Sequence, residues 1–220
     1  MATLELGVLI SGRGSNLQAI LDAISRGKLD ARVRVVISNC PAAPGLERAR
    51  SAGVPANVID HRDFRGREPF ELAVISVLRE HGCEWVVLAG FMRVLTPTFL
   101  AAFPWRVINI HPALCPAFPG VDAQAQALAY GSRVTGCTVH LVDRGVDTGP
   151  ILAQSVVPVL SEDTRESLAA RLLAREHELL ITVLGWVAEG RVEVDCRPTP
   201  DERPLVTVRG VVPVLGLCTE

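Results

Sequence analysis

The sequence predicts an α/β protein: a doubly wound, mostly parallel sheet with helices on both faces, a Rossmann-like N-terminal half and a single domain. Three observations lead there. Short aliphatic, β-branched runs alternate with helix-spaced segments through four βα units before residue 105. Two of the helical segments close on a glycine, Gly53 and Gly82. The run from Trp85 to Ala89 has no polar alternation, the mark of a strand buried on both faces. Right-handed crossovers between such units give a parallel sheet.

The elements follow in order. Leu4 to Ile10 is the first strand, and a glycine turn, Ser11 to Asn16, leads into a helix over Leu17 to Arg26. Val33 to Ile37 is the second strand and Gly45 to Ala52 a short helix. Val54 to Ile59 is the third strand. Glu68 to His81 is a helix with Phe70, Ala73, Val74, Val77 and Leu78 at helical spacing. After the fourth strand, Thr96-Pro97 opens a helix with a cap residue and then proline at the first position. Val107 to His111 is the fifth strand, because Pro112 forces His111 into extended geometry and ends it. Ala123 to Ala129 is a helix, and Gly136 to Val142 and Ile151 to Val157 are strands. Asp163 to Glu189 is one long helix, with Asp163 and Glu166 as a capping box. Arg191 onward reads as a terminal strand pair or tail.

Composition narrows the functional classes. Of 220 residues 49% are hydrophobic, enough for a full α/β core and too many for a disordered chain. The net charge is -2 and the basic residues are dispersed, so no field draws in nucleic acid or an anionic membrane. None of the six cysteines forms a Cys-x-x-Cys pair, so no zinc site is expected. With no signal peptide and no apolar run of transmembrane length, the cysteines read as thiols of a reducing cytoplasm.

Four stretches carry candidate chemistry. Ser11-Gly-Arg-Gly-Ser-Asn16 joins a strand to a helix N-terminus, where backbone N–H groups and the helix dipole favour an anion. It lacks the Gly-Lys-Ser/Thr of a Walker loop, and Leu17 stands where a dinucleotide fingerprint has its third glycine. A site for one phosphate and a plain βα turn with a serine cap both remain open at this point. Gly90 to Leu95 follows a strand's carboxyl end; it reads as a slot for a flat heterocycle or as a loop covering the core. Asn109 and His111 leave one strand on the same side. With Asp147, on a loop between Gly145 and Gly149, they could polarise a carbonyl, stabilise an oxyanion and move a proton. His140, on a strand with apolar neighbours, reads as a hydrogen-bonded core group.

Together, Ile10 to Leu17, Ala89 to Leu95, Ile108-Asn-Ile-His-Pro112 and Val146-Asp-Thr-Gly-Pro150 resemble the phosphoribosylglycinamide formyltransferases of the folate-dependent formyltransferase family. The resemblance runs in order from about residue 4 to residue 195. It implies transfer of a formyl group from 10-formyltetrahydrofolate, a co-substrate, to the amine of glycinamide ribonucleotide in purine biosynthesis. It implies that Gly14, Ser15 and Asn16 hold the ribonucleotide phosphate. Arg67, Met92, Arg93, Val94 and Leu95 would meet the folate, and Glu176 the glycinamide end. It also implies Asn109, His111 and Asp147 as the catalytic trio, with a carboxylate at 147 favouring charged imidazole at 111. No metal and no covalent intermediate are expected.

On this reading residues 1–195 form the formyltransferase domain, with about 1–103 binding phosphate and about 104–195 catalytic, and 196–220 are C-terminal strands or tail. The partners are small molecules, without nucleic acid or membrane, and a homodimer is left open. Relatives that formylate methionyl-tRNA carry a further C-terminal domain, and those that hydrolyse formyltetrahydrofolate a further N-terminal one. This chain has neither, which sets both readings aside as expectations. A non-catalytic nucleotide-binding module would need the glycine turn but not the trio. The sequence departs from the family at Ala117, often Lys; Asp122, sometimes His; Thr148, often Gly; and Leu173, often polar.

Overall fold

A computed structural model describes residues 3–195, 204–211 and 213–215. The chain groups into two compact units, Met1–Asn109 and Ile110–Glu220.

In the first unit β1 (Leu4–Ile10) is central, with β2 (Ala31–Ser38) and β4 (Trp85–Leu88) on either side and parallel to it. β3 (Ala56–Val58) continues past β2, and the start of β5 (Val107–His111) continues past β4. The order is therefore β3-β2-β1-β4-β5. Leu6, Val8, Leu9 and Ile10 are 0% exposed, so β1 is covered on both faces and shows no alternation. The helices are α1 (Ser15–Ser25), α2 (Gly45–Ser51), α3 (Arg67–Glu80) and α4 (Pro97–Ala102). The chain leaves β1 toward β2 and β3 and then returns to build β4 and β5 on the other side. That reversal makes a switch point at the carboxyl ends of β1 and β4, where open α/β sheets bind ligands.

In the second unit the order is β5-β6-β7-β10. β6 (Val134–Leu141) and β7 (Ile151–Pro158) are antiparallel, and β10 (Val214–Leu215) pairs parallel with β7. α5 (Ala123–Tyr130) precedes β6. α6 (Arg165–Ala188) packs on β6 and β7 through a stripe that includes Leu168, Leu172, Leu179 and Val183. β8 (Val192–Asp195) and β9 (Leu205–Val208) form a separate antiparallel pair.

The α/β class and the mostly parallel pairing agree with the sequence, and β1 and β5 have the expected bounds. Several other bounds shift by one or two residues, and three differences have a physical reason. β3 is shorter than Val54–Ile59: Pro55 has no N–H, and only its carbonyl joins the ladder, accepting from Val36 N–H at 2.8 Å. The cap of α6 is Thr164 rather than Asp163, with Ser167 completing the box in place of Glu166. Asp163 is spent elsewhere, accepting from Leu160 N–H at 2.8 Å and from Arg171 at 2.5 Å. At α4 Thr96 is the N-cap residue as expected, but its hydroxyl makes no cap bond and turns to Glu71. Of the expected C-terminal strands or tail, residues 196–203, 212 and 216–220 lie outside the described residues.

Candidate active site

The glycine turn after β1 is shaped by close approach. Gly14 is the N-cap of α1 in a left-handed conformation, φ 70°, and a Cβ there would stand 2.8 Å from Gly45 Cα. Gly45 N–H donates to Gly12 O at 3.1 Å, so the start of α2 lies directly on the turn. The serine cap of the plain-turn alternative is absent, since the cap position belongs to Gly14 and no side chain caps α1. A helix N-terminus with a glycine cap keeps its partial positive charge for an anion. Beside it lies a groove of about 280 Å³, lined by residues 11–16 with Ala89, Gly90 and Met92.

That groove shares a wall with the next stretch. Ser11 N–H donates to Gly90 O at 3.1 Å. The Ser11 hydroxyl accepts from Met92 N–H at 2.9 Å and donates to Asn39 Oδ1 at 2.6 Å. Met92 and Val94 are 69% and 42% exposed, an apolar pair at a strand's carboxyl end. Arg93 lies over the Phe70 ring, 5.3 Å from its centroid. Arg67 is the exposed first residue of α3, whereas Leu95 is buried in the core.

The second unit holds a cluster of side chains. Asp147 Oδ2 is 3.3 Å from His111 Nδ1, and its Oδ1 is 3.6 Å from His140 Nε2. Asp147 also accepts from Gly120 N–H at 2.8 Å. Each imidazole is fixed at its other nitrogen by a carbonyl: His111 Nε2 donates to Phe118 O at 2.8 Å, and His140 Nδ1 to Leu141 O at 2.9 Å. Carbonyls only accept, so those nitrogens carry hydrogens. Burial alone would raise the Asp147 carboxyl. The hydrogen bonds from His140 and Gly120 and the nearby imidazoles outweigh it and hold the group below its usual range.

Local backbone sets this geometry. Asp147 has φ 53° and Phe118 φ 52°, left-handed values that cost energy in residues other than glycine. Gly149 cannot be replaced: a Cβ there would stand 1.8 Å from Leu141 O. Asn109 is partly buried two residues before His111, and Glu176 is buried on α6.

Two of the departures from the family pattern have partners. Asp122 Oδ1 accepts from Arg165 Nε at 2.7 Å, and the Thr148 hydroxyl donates to Asp143 Oδ1 at 2.7 Å. Nothing in the structure explains Ala117 or Leu173. Burial pushes the thiols of Cys83 and Cys137 up to about 12, so both are inert, while Cys196 and Cys218 lie outside the described residues. Among the described residues no group of three or more His, Cys, Asp or Glu is placed to hold a metal ion.

The sequence read His140 as a hydrogen-bonded core group, and it is buried and donates to Leu141 O. Its second neighbour, Asp147, was missed. The available signal was that both flank one short loop after β6. Glu71 was also missed; it shares a helical stripe with Ile75 and Leu78, and a carboxylate in such a stripe is itself a signal.

Residues 5–184 match the formyl transferase family model, and the chain belongs to that family. It is 41% identical over 191 residues to phosphoribosylglycinamide formyltransferase of Escherichia coli K12, covering 87% of this chain and 90% of that protein. It is 46% identical over 188 residues to the trifunctional purine biosynthetic protein adenosine-3 of Drosophila pseudoobscura, covering 84% of this chain. The chain spans only 14% of that protein's length. Among solved structures, glycinamide ribonucleotide transformylase 1 of Symbiobacterium toebii superposes with a TM-score of 0.87 at 47% identity, covering 94% of this chain and 95% of that one.

Proposed function

We propose that this chain transfers a formyl group from 10-formyltetrahydrofolate to the amine of glycinamide ribonucleotide, a step of purine biosynthesis. The observation that carries the reading is Asp147 set between His111 and His140 in a member of the formyl transferase family. The names of the relatives support the choice of substrate.

The chemistry follows from the side chains. The substrate amine attacks the formyl carbon, a C–N bond forms, and the carbonyl oxygen becomes an oxyanion. A protonated His111 and the Asn109 amide donate to that oxygen; losing one such donor costs about 2.7–4 kcal/mol. The Nε2 hydrogen that Phe118 O now receives is the one a substrate oxygen would take over. Asp147 orients the ring and balances its charge. A water held by Asp147 passes the amine proton to the folate nitrogen. The old C–N bond then breaks and releases tetrahydrofolate.

In this proposal Gly14, Ser15 and Asn16 take the phosphate. Met92 and Val94 cover the pterin face, Arg67 and Arg93 meet the folate's acidic end, and Glu176 meets the glycinamide. The backbone donors around Gly14 and the exposed apolar pair fit those two ligands. In this proposal the work falls to residues 1–195, in the cytoplasm. No helix among the described residues is long and apolar enough to cross a membrane. Sedimentation at assay concentration reads whether two copies form a homodimer.

The test is to mix the protein with both substrates and follow folate absorbance. Formylated ribonucleotide and tetrahydrofolate are expected in equal amounts. Loss of the formyl group to water alone, or no turnover, would overturn the reading.

A further inference from the structure

We propose that Glu71, outside the loop that meets folate, is a positioning residue for it: its buried carboxylate rivets Thr96, and thereby holds Met92 and Val94 in place. This rests on the folate reading above.

Four observations carry it. Glu71 is only 2% exposed, and an ionised carboxylate is costly to bury unless it is hydrogen-bonded. Among the described residues its hydrogen bonds go to a single residue. Thr96 N–H lies 3.0 and 3.1 Å from its two oxygens, and the Thr96 hydroxyl donates to Oε2. Thr96 is the last anchor of the loop and the N-cap of α4, yet it leaves α4 without a side-chain cap to make this bond. The other end of the loop is pinned as well, since Met92 N–H donates to the Ser11 hydroxyl at 2.9 Å. Between these pins the chain presents Met92 and Val94 to solvent.

The same helix sets the slot's charges. Arg67 is the first residue of α3, one turn before Glu71, and Phe70 lies under Arg93. Burial pushes the Glu71 carboxyl up, and the Thr96 bonds and the two guanidiniums offset this only in part. A residue kept only for packing would be apolar here, like Ile75 and Leu78 on the same stripe. Replacing buried charge by apolar side chains is often neutral or stabilising, so packing does not account for a carboxylate. Holding a loop N–H does.

The test uses the full chain and three variants. Glu71→Leu keeps packing and removes both acceptors. Glu71→Gln keeps one acceptor for Thr96 N–H and offers the Thr96 hydroxyl a donor. Thr96→Val removes only the hydroxyl. The readouts are affinity for a non-reactive folate analogue by calorimetry, both KM values, kcat and the melting midpoint. Glu71→Leu should weaken analogue binding and raise the folate KM roughly tenfold, the effect of losing a hydrogen bond to a charged group. Its ribonucleotide KM should stay within about twofold, since additive effects are expected at separate sites. Glu71→Gln should recover most of the loss, and Thr96→Val should show about a third of it on a logarithmic scale. A lower midpoint with unchanged folate binding, or equal weakening of both substrates, would overturn the proposal. If Glu71→Leu does not fold, Thr96→Val decides on the same criteria. A wild-type protein that binds no folate analogue would instead sink the functional reading on which this one rests.

Discussion

The turn around Gly14 and the cluster around Asp147 are built from opposite materials. The turn is backbone: a left-handed glycine, a second glycine packed on it, and the start of a helix. The cluster is buried titratable side chains, two imidazoles and a carboxylate, with Gly120 supplying one N–H. A site of the first kind recognises fixed charge through shape, so a change of shape should damage it. A site of the second kind moves protons and meets charge that develops during reaction, so a change of charge at constant shape should damage it. Each can therefore be broken by a substitution of a few atoms, and the two kinds of damage should differ in kinetic signature.

The largest effect is expected from Asp147→Asn. Asparagine keeps the size and can still accept from Gly120 N–H, but removes the charge between the imidazoles. The chemical step should slow by roughly two to four powers of ten, the range for a positioned acid–base group. Both KM values should change little, because the lost interaction belongs to the transition state. Single-turnover rates for the two proteins decide it. A folded variant within about threefold of wild type would remove Asp147 from the chemistry, since that is under a kcal/mol of barrier.

Gly14→Ala should come next and show the opposite signature. A methyl group there meets Gly45 Cα at 2.8 Å and sits on a backbone at φ 70°. Left-handed strain costs about 1–3 kcal/mol, so the ribonucleotide KM should rise roughly ten- to a hundredfold. Affinity for a folate analogue should hold. Should folate affinity fall equally, the turn would be a general support for the fold and the contrast would fail.

The same contrast explains what the sequence could and could not reveal. The turn was legible because its constraint is local: a strand, two glycines and a helix start within a few residues. β5 was legible to the residue, since a β-branched run is cut by Pro112. The trio could be named from its resemblance to a family, but its neighbours could not. His140 and Phe118 O meet Asp147 and His111 only through the fold, at separations that no local period encodes. The cap of α6 was missed by one residue because Asp163 and Thr164 are both good caps. The choice fell to Arg171, which claims Asp163 from two turns away. The antiparallel turn from β6 to β7 was equally silent, because strand direction depends on which neighbour is met.

Val94→Asp sharpens the comparison from the side of the first unit. Val94 is 42% exposed, so a carboxylate there folds without loss but must be desolvated when a heterocycle lies on it. Partial burial of a charge costs on the order of 1–3 kcal/mol by mutational scales, so folate affinity should fall about tenfold or more. The ribonucleotide KM should not follow. Equal titration curves for wild type and variant with a folate analogue would take residues 92–95 out of the site.

The smallest effect is thermodynamic and belongs to the second unit alone. The Asp147 carboxyl is held below its usual value of 3.8. For an acid with a depressed folded-state value, the unfolded chain binds the proton first as pH falls. Protonation then draws the equilibrium toward unfolding. The stabilisation is therefore fully present above the unfolded value and disappears as pH falls from about 4 through the folded one. Asp147→Asn cannot titrate and should lack this contribution at every pH. The melting midpoint of wild type should exceed that of the variant by a few degrees at pH 5 to 7, the usual scale for one such interaction in a chain of this length. The gap should narrow as pH falls below about 4. The Gly14→Ala protein should show no such narrowing gap against wild type, because it keeps Asp147 and its shape defect carries no proton. Thermal melts of the three proteins at matched ionic strength measure this. A wild-type-to-Asn gap that does not narrow at all as pH falls below about 4 would mean that the carboxylate is no better held in the folded protein than in the unfolded chain. The charge assigned to the cluster would then be wrong even if its catalytic role stood.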